Sequence, residues 1–188
     1  DAPVFALCAA LLEVDLFPTW LPGCDFSEVL AAPSRFRRVL RAGAAKGYPI
    51  GRNEVVTEAY GDAFDAGLLF GGGRRRRGVA VYMKDGPRVP SPNGTRRLSL
   101  AGGWWLERVD DERTSVSLVV RVDPRVAFLP SWLVNFVVKN VVFLVIPMVA
   151  KHARQFLPGG TLASRVDASP ALYGEIARRL AADLAPVK

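Results

Sequence analysis

With 188 residues, half of them hydrophobic and 23% charged, the chain is long enough for one sizeable core and too apolar to be disordered. Twenty-five Lys and Arg against 18 Asp and Glu leave a formal net charge of +7, which favours anionic partners such as phospholipid headgroups and does not bear on fold. Cys8 and Cys24 match no metal-ligand spacing and are too few for a disulfide framework, so they read as small buried residues of a protein in a reducing compartment.

The chain opens without Met, and its first apolar run, VFALCAALLEV, lacks the basic region of a signal peptide, so it reads as a segment of a longer protein. Val4 to Val14 is apolar nearly all round and predicts a short buried helix. In DLFPTWLPGC, Pro18 and Pro22 bracket Trp20 and predict an ordered loop, since prolines four apart forbid a regular helix or a central strand. From Arg35 the apolar pattern shifts to period two and predicts five strands: Arg35 to Arg41, Asn53 to Tyr60, Arg77 to Lys84, Arg96 to Arg108 and Thr114 to Val122. The third sets Val79, Val81 and Met83 opposite Ala80 and Tyr82. The fourth sets Leu98, Leu100, Trp104 and Leu106 opposite Ser99, Trp105 and Glu107. The fifth sets Val116, Leu118, Val120 and Val122 opposite Ser115, Ser117 and Arg121. Short connections make these strands an antiparallel meander, with KDGPRVPSPNGT as the one turn-rich interruption.

After VDPRVAF the period becomes helical, with a start signal at Pro130 and Ser131. The stretch LPSWLVNFVVKNVVFLVIPMVAKHARQF is almost apolar enough to span a bilayer, but Lys139 divides it: 13 uncharged residues precede it from Arg125 and 11 follow it to Lys151. A lysine at the centre of a span costs about 3 kcal/mol, Asn135 lies four residues before it, and Pro147 predicts a kink. An antiparallel sheet with one apolar face needs a cover, so the stretch predicts a helix laid across the sheet and closing a hydrophobic cavity, with a membrane span as the alternative. A last amphipathic segment, Pro170 to Leu184, places Leu172, Ile176, Leu180 and Leu184 on one stripe and predicts a docked terminal helix.

Catalytic chemistry is sparse. The single His152 lies in KHARQ near the basic end of the long helix and reads as a solvated or helix-dipole residue. No nucleophile elbow or metal-ligand cluster is present, and GGGRRRR lacks the Lys-Ser/Thr of a phosphate-binding loop. Arg74, Arg75, Arg76 and Arg77 read as a solvated hairpin tip or as a contact to anionic headgroups. Nucleic acid is not the expected partner, because no recognition helix or stacking platform accompanies the arginines.

Four stretches in this order resemble the START lipid-transfer family: LFPTWLPGC, YPIGRNEVV, GGWWLERVDDERTSVSLVVRVDP and AFLPSWLVNFVVKN, together spanning about Glu13 to Phe156. The resemblance implies an α+β helix-grip fold, in which a curved antiparallel sheet packs on a long C-terminal helix and encloses a hydrophobic cavity for a phospholipid or sterol. It implies lipid transfer or sensing without an enzymatic role, metal or other cofactor. It further implies a monomer in the cytoplasm that visits anionic membrane surfaces transiently. The expected domain is residues 1–158, lacking the family's N-terminal strands, followed by a linker and amphipathic helix over 159–188. Asn53 stands where many members carry Asp. The expected lipid contacts are Trp20, Arg52, Tyr82, Trp104, Trp105, Arg121, Trp132, Phe136 and Lys139, with Arg74 to Arg77 at the membrane. The alternatives are a helix-grip enzyme, cyclase-like or hydrolase-like, and a scaffold anchored by residues 130–157.

Overall fold

The computed structural model describes residues 2–45, 51–65, 77–92, 94–126 and 130–182. Helix α1 (Val4–Leu12) leads through a 3₁₀ turn (Val14–Leu16) to a single helical turn, α2 (Phe17–Trp20). Six strands follow: β1 (Phe26–Ser34), β2 (Arg37–Ala44), β3 (Asn53–Asp65), β4 (Arg77–Asp85), β5 (Arg96–Arg108) and β6 (Thr114–Asp123). Helices α3 (Ser131–Ala153), α4 (Ala163–Ala168) and α5 (Pro170–Ala182) complete the described chain. The strands form one open antiparallel sheet in chain order, and β3 also meets the start of β5 in parallel at Asn53 to Val55. With the long helix α3 on the sheet, this is the helix-grip architecture.

Strand β1 was not expected from the sequence. Its segment, FSEVLAAPS, contains Pro33 and no sustained alternation, and its register with β2 slips twice. An edge strand tolerates both defects because one side of its backbone has no ladder to satisfy. Helix α2 also departs from the expected loop: Pro18 falls in its first turn, where the missing N–H costs nothing, and the turn ends before Pro22. Helix α3 continues through Pro147 to Ala153.

Register fixes which side chains share a face. Val81, Trp104 and Leu118 are adjacent across three strands, as are Val79, Leu106 and Val116, and these apolar residues face the helices. On the opposite face, Tyr60 stacks on Tyr82 at 5.0 Å and Tyr82 meets Trp105 edge-on at 6.2 Å.

The segment after β4 lies across that outer face. Gly86 donates its backbone N–H to Val56 O, and a Cβ at Gly86 would stand 2.9 Å from Val56 Cγ1, so the close approach requires glycine. Farther along, Arg41 donates to Pro90 O (2.6 Å), while Ser91 Oγ and Arg97 Nη2 each donate to Glu54 Oε1 at 2.5 Å. Burial alone would raise the Glu54 carboxyl, but Ser91 and the guanidinium groups of Arg97 and Arg41 hold it below the usual carboxylate range. Residues 86–92 of the turn-rich connection are thus fastened, on the face away from the helices.

The core centres on α1, where Ala6, Leu7, Ala9 and Ala10 are buried. Their small side chains admit Val145, Val149 and Ala153 from the C-terminal half of α3. Burying a valine there stabilises the fold by about 1.5–3 kcal/mol. Helix α5 docks on the same hub: Tyr173 is buried, its ring meets Phe5 at 6.0 Å, and its hydroxyl donates to Glu13. Arg165 ties α4 to Glu13 (2.6 Å) and Asp15 (2.8 Å).

Candidate functional site

The pocket best suited to a ligand is formed by three elements. Leu11 and Leu12 of α1 make one wall. Leu40, Ala59, Val79 and Val81 of β2, β3 and β4 make the floor, and Ile176 and Leu180 of α5 make the roof. The apolar floor follows from strand alternation, and the roof follows from the one-sided stripe of α5. The interior measures about 90 Å³. Sites for drug-sized ligands span about 300–1,000 Å³, so the enclosed space is smaller than such a ligand.

Two guanidinium groups line this apolar space. Arg179 donates to Glu175 (2.8 Å) and lies 4.7 Å over the Phe36 ring, so its charge is compensated. Arg38 is half-buried and donates from Nη1 to Leu12 O at the C-terminal end of α1, a favourable end for a cation. Cys8 also lines the pocket, and burial pushes its thiol up to about 12, far from thiolate formation at neutral pH.

The expected lipid contacts do not converge on this pocket. Trp104 faces the helices and is buried with Leu106 in the core. Tyr82 and Trp105 belong to the outer-face aromatic row, because strand parity opposes them to Val81 and Trp104. Arg121 pairs with Ala101 on that outer face and is exposed. Arg52 is exposed before β3. Trp20 is buried and stacks on His152 of α3 at 5.7 Å, away from the pocket lining. His152 is therefore not solvated: it is wedged between Trp20 and Phe156, and burial lowers its pKa.

Trp132 and Phe136 are 69% and 62% exposed, and Lys139 is exposed beside them. No described residue of α3 lines the pocket, so the helix expected to close it does not do so. Helix α3 is long and apolar enough to cross a membrane, and only 11% of its most apolar 18-residue window is buried. Arg74, Arg75 and Arg76 lie outside the described residues, and Arg77 opens β4.

The pocket residues that sequence reasoning missed are Arg38, Phe36, Leu40 and Leu11. Ile176 and Leu180 were visible as a helical stripe, but nothing in the stripe states what it covers.

No protein-family model and no curated protein matches the sequence. Solved structures do. Human STARD10 superposes with a TM-score of 0.66 at 15% identity, over 83% of this chain and 60% of its own. A STAR-related lipid transfer protein fragment from Xanthomonas axonopodis gives 0.63 at 20% identity, over 81% of this chain and 80% of that one. Zhui aromatase/cyclase from Streptomyces sp. R1128 gives 0.56 at 16% identity, over 85% and 92%. The expectation of a purely non-enzymatic chain is overturned by this last likeness, since the same architecture serves an aromatase/cyclase. At these identities the likeness is one of fold: the chain has a START-like helix-grip fold.

Proposed function

We propose that this chain binds a lipid in the pocket between α1, the sheet and α5, and exchanges it at a membrane surface. One observation carries the reading: apolar side chains from three elements converge on one pocket in a fold shared with lipid-transfer proteins. A lipid tail leaving a bilayer recovers there about 25 cal/mol per Å² of apolar surface kept from water. The roof is the moving part, because Ile176 and Leu180 sit on a short terminal helix while the floor belongs to a hydrogen-bonded sheet.

Membrane contact is supported by α3. Its exposed side carries Trp132, Phe136, Phe143 and Leu144. From residue 124 to 166 the sequence holds Arg125, Lys139, Lys151, Arg154 and Arg165 and no acid, as suits an anionic surface. The test is mass spectrometry of lipids that copurify with the chain, beside a Leu180→Trp variant that fills the pocket. Lipid on the wild type and none on the variant is the expected result. An identical lipid complement on both would remove the pocket from consideration.

A second reading rests on the Zhui aromatase/cyclase likeness: the pocket holds and shapes a reactive chain, with Arg38 polarising a carbonyl. Its test is product formation from a linear polyketone, lost in Arg38→Met.

A further inference from the structure

We infer that the pocket selects amphiphiles with an anionic end, a carboxylate or a phosphate, and that Arg38 holds that end; this rests on the lipid-binding reading above. Several arginines are neutralised by an ion pair with an acid. Arg37 pairs with Glu58, Arg41 with Glu28 and Glu54, Arg97 with Glu54, and Arg113 with Asp110. Arg38 makes no such ion pair among the described residues. Its neighbours in the pocket are mostly apolar, with Asp62 and the Glu175-bound Arg179 as the charged exceptions, and its hydrogen bond goes to the neutral carbonyl of Leu12.

The nearby acids are already engaged. Glu13 receives Tyr173 and Arg165, Glu175 receives Arg178 and Arg179, and Asp62 at the rim has interactions of its own. A half-buried cation with no direct ion pair is costly, and an incoming anion offsets that cost. Guanidinium carries five N–H donors, of which one is occupied, and the Leu12 bond orients the rest before any ligand arrives. The apolar floor at Leu40, Val79 and Val81 then receives the start of a tail, and Ile176 and Leu180 yield to its length.

The test is calorimetric titration of the chain with dodecanoate, dodecyl phosphate, methyl dodecanoate and dodecanol, each below its aggregation concentration. A charge-assisted hydrogen bond predicts that at least one anionic probe binds about tenfold or more tightly than the ester and the alcohol. The order of the two anionic probes identifies the preferred head. Equal affinity for acid and ester would overturn this inference while leaving the apolar pocket standing, and failure of all four probes would overturn both. Competition by inorganic phosphate as strong as by dodecyl phosphate would assign the site to a free anion and also overturn the proposal. Arg38→Met is expected to bring the acid-to-ester ratio to about one with ester affinity kept, and Arg38→Lys to retain part of the preference. If Arg38→Met fails to fold because Leu12 loses its donor, the ratio measured on the wild type decides.

Discussion

Helix α3 has 23 residues, no acid and a large exposed apolar side, whereas α5 has 13 residues, three of them charged, and buries Tyr173 and Ile176. The more apolar helix is the one that leaves large apolar side chains exposed, among them Trp132, Phe136 and Phe143. Hydropathy measures how much a segment gains by leaving water; it does not supply the surface that receives it. The C-terminal half of α3 finds a groove made by the alanines of α1, and its N-terminal half has no such groove among the described residues. Helix α5 has a narrow stripe and a site that fits it, with Tyr173 anchored on Glu13 and Arg179 laid on Phe36.

Charge placed on either side of α3 breaks this comparison most directly. Val149→Asp puts an unpaired carboxylate against α1 and should unfold the chain or cost about 4 kcal/mol or more in chemical denaturation. Next in size is Tyr173→Ala, which removes a buried ring and should cost about 3–5 kcal/mol. A loss under 1 kcal/mol would mean that α5 is only loosely held. Ile176→Ala should cost about 2 kcal/mol or more and widen the roof; an environment-sensitive apolar dye should then bind more strongly, and an unchanged dye signal would separate α5 from the pocket.

The buried end of α3 is also expected to be pH-sensitive through His152. Burial lowers its folded pKa below the ordinary histidine value of 6.5, so its contribution is complete above that value and is lost as the pH falls through it. The slope cannot exceed about 1.4 kcal/mol per pH unit for one proton. Thermal unfolding between pH 5 and 7.5 should flatten in a His152→Phe variant. The smallest expected effect is Phe143→Asp, on the side of α3 where Phe143 is 78% exposed: under about 0.5 kcal/mol in stability, with reduced sedimentation on anionic vesicles. A large destabilisation by Phe143→Asp would show that something covers this side after all.

The sheet was largely legible in the sequence because alternation is a local signal. Arg96 to Arg108 coincides with β5, and the facing sets Val79–Val81–Met83 and Val116–Leu118 are those of the structure. β1 was not legible, since Pro33 and two register slips erase the period. Period assigns residues to faces without saying which face is inner, so Tyr82, Trp105 and Arg121 stood as pocket candidates until register placed them opposite Val81 and Trp104. Arg38 was hidden for another reason. One arginine in RFRRVLR looks like the next, and only the positions of α1 and the surrounding acids distinguish it.

The fastening of residues 86–92 across the outer face makes the sheet mechanically lopsided. Glu54, held by Ser91 and Arg97 and joined to Arg41, acts as a rivet through a stiff back plate, while the front is closed by a helix near the end of the described chain. On the proposed lipid-binding function, compliance on one side lets ligand length be absorbed by displacing α5 and not by bending strands. Substitutions in the terminal helix should therefore retune which tails fit, and leave the fold's rigid half unchanged.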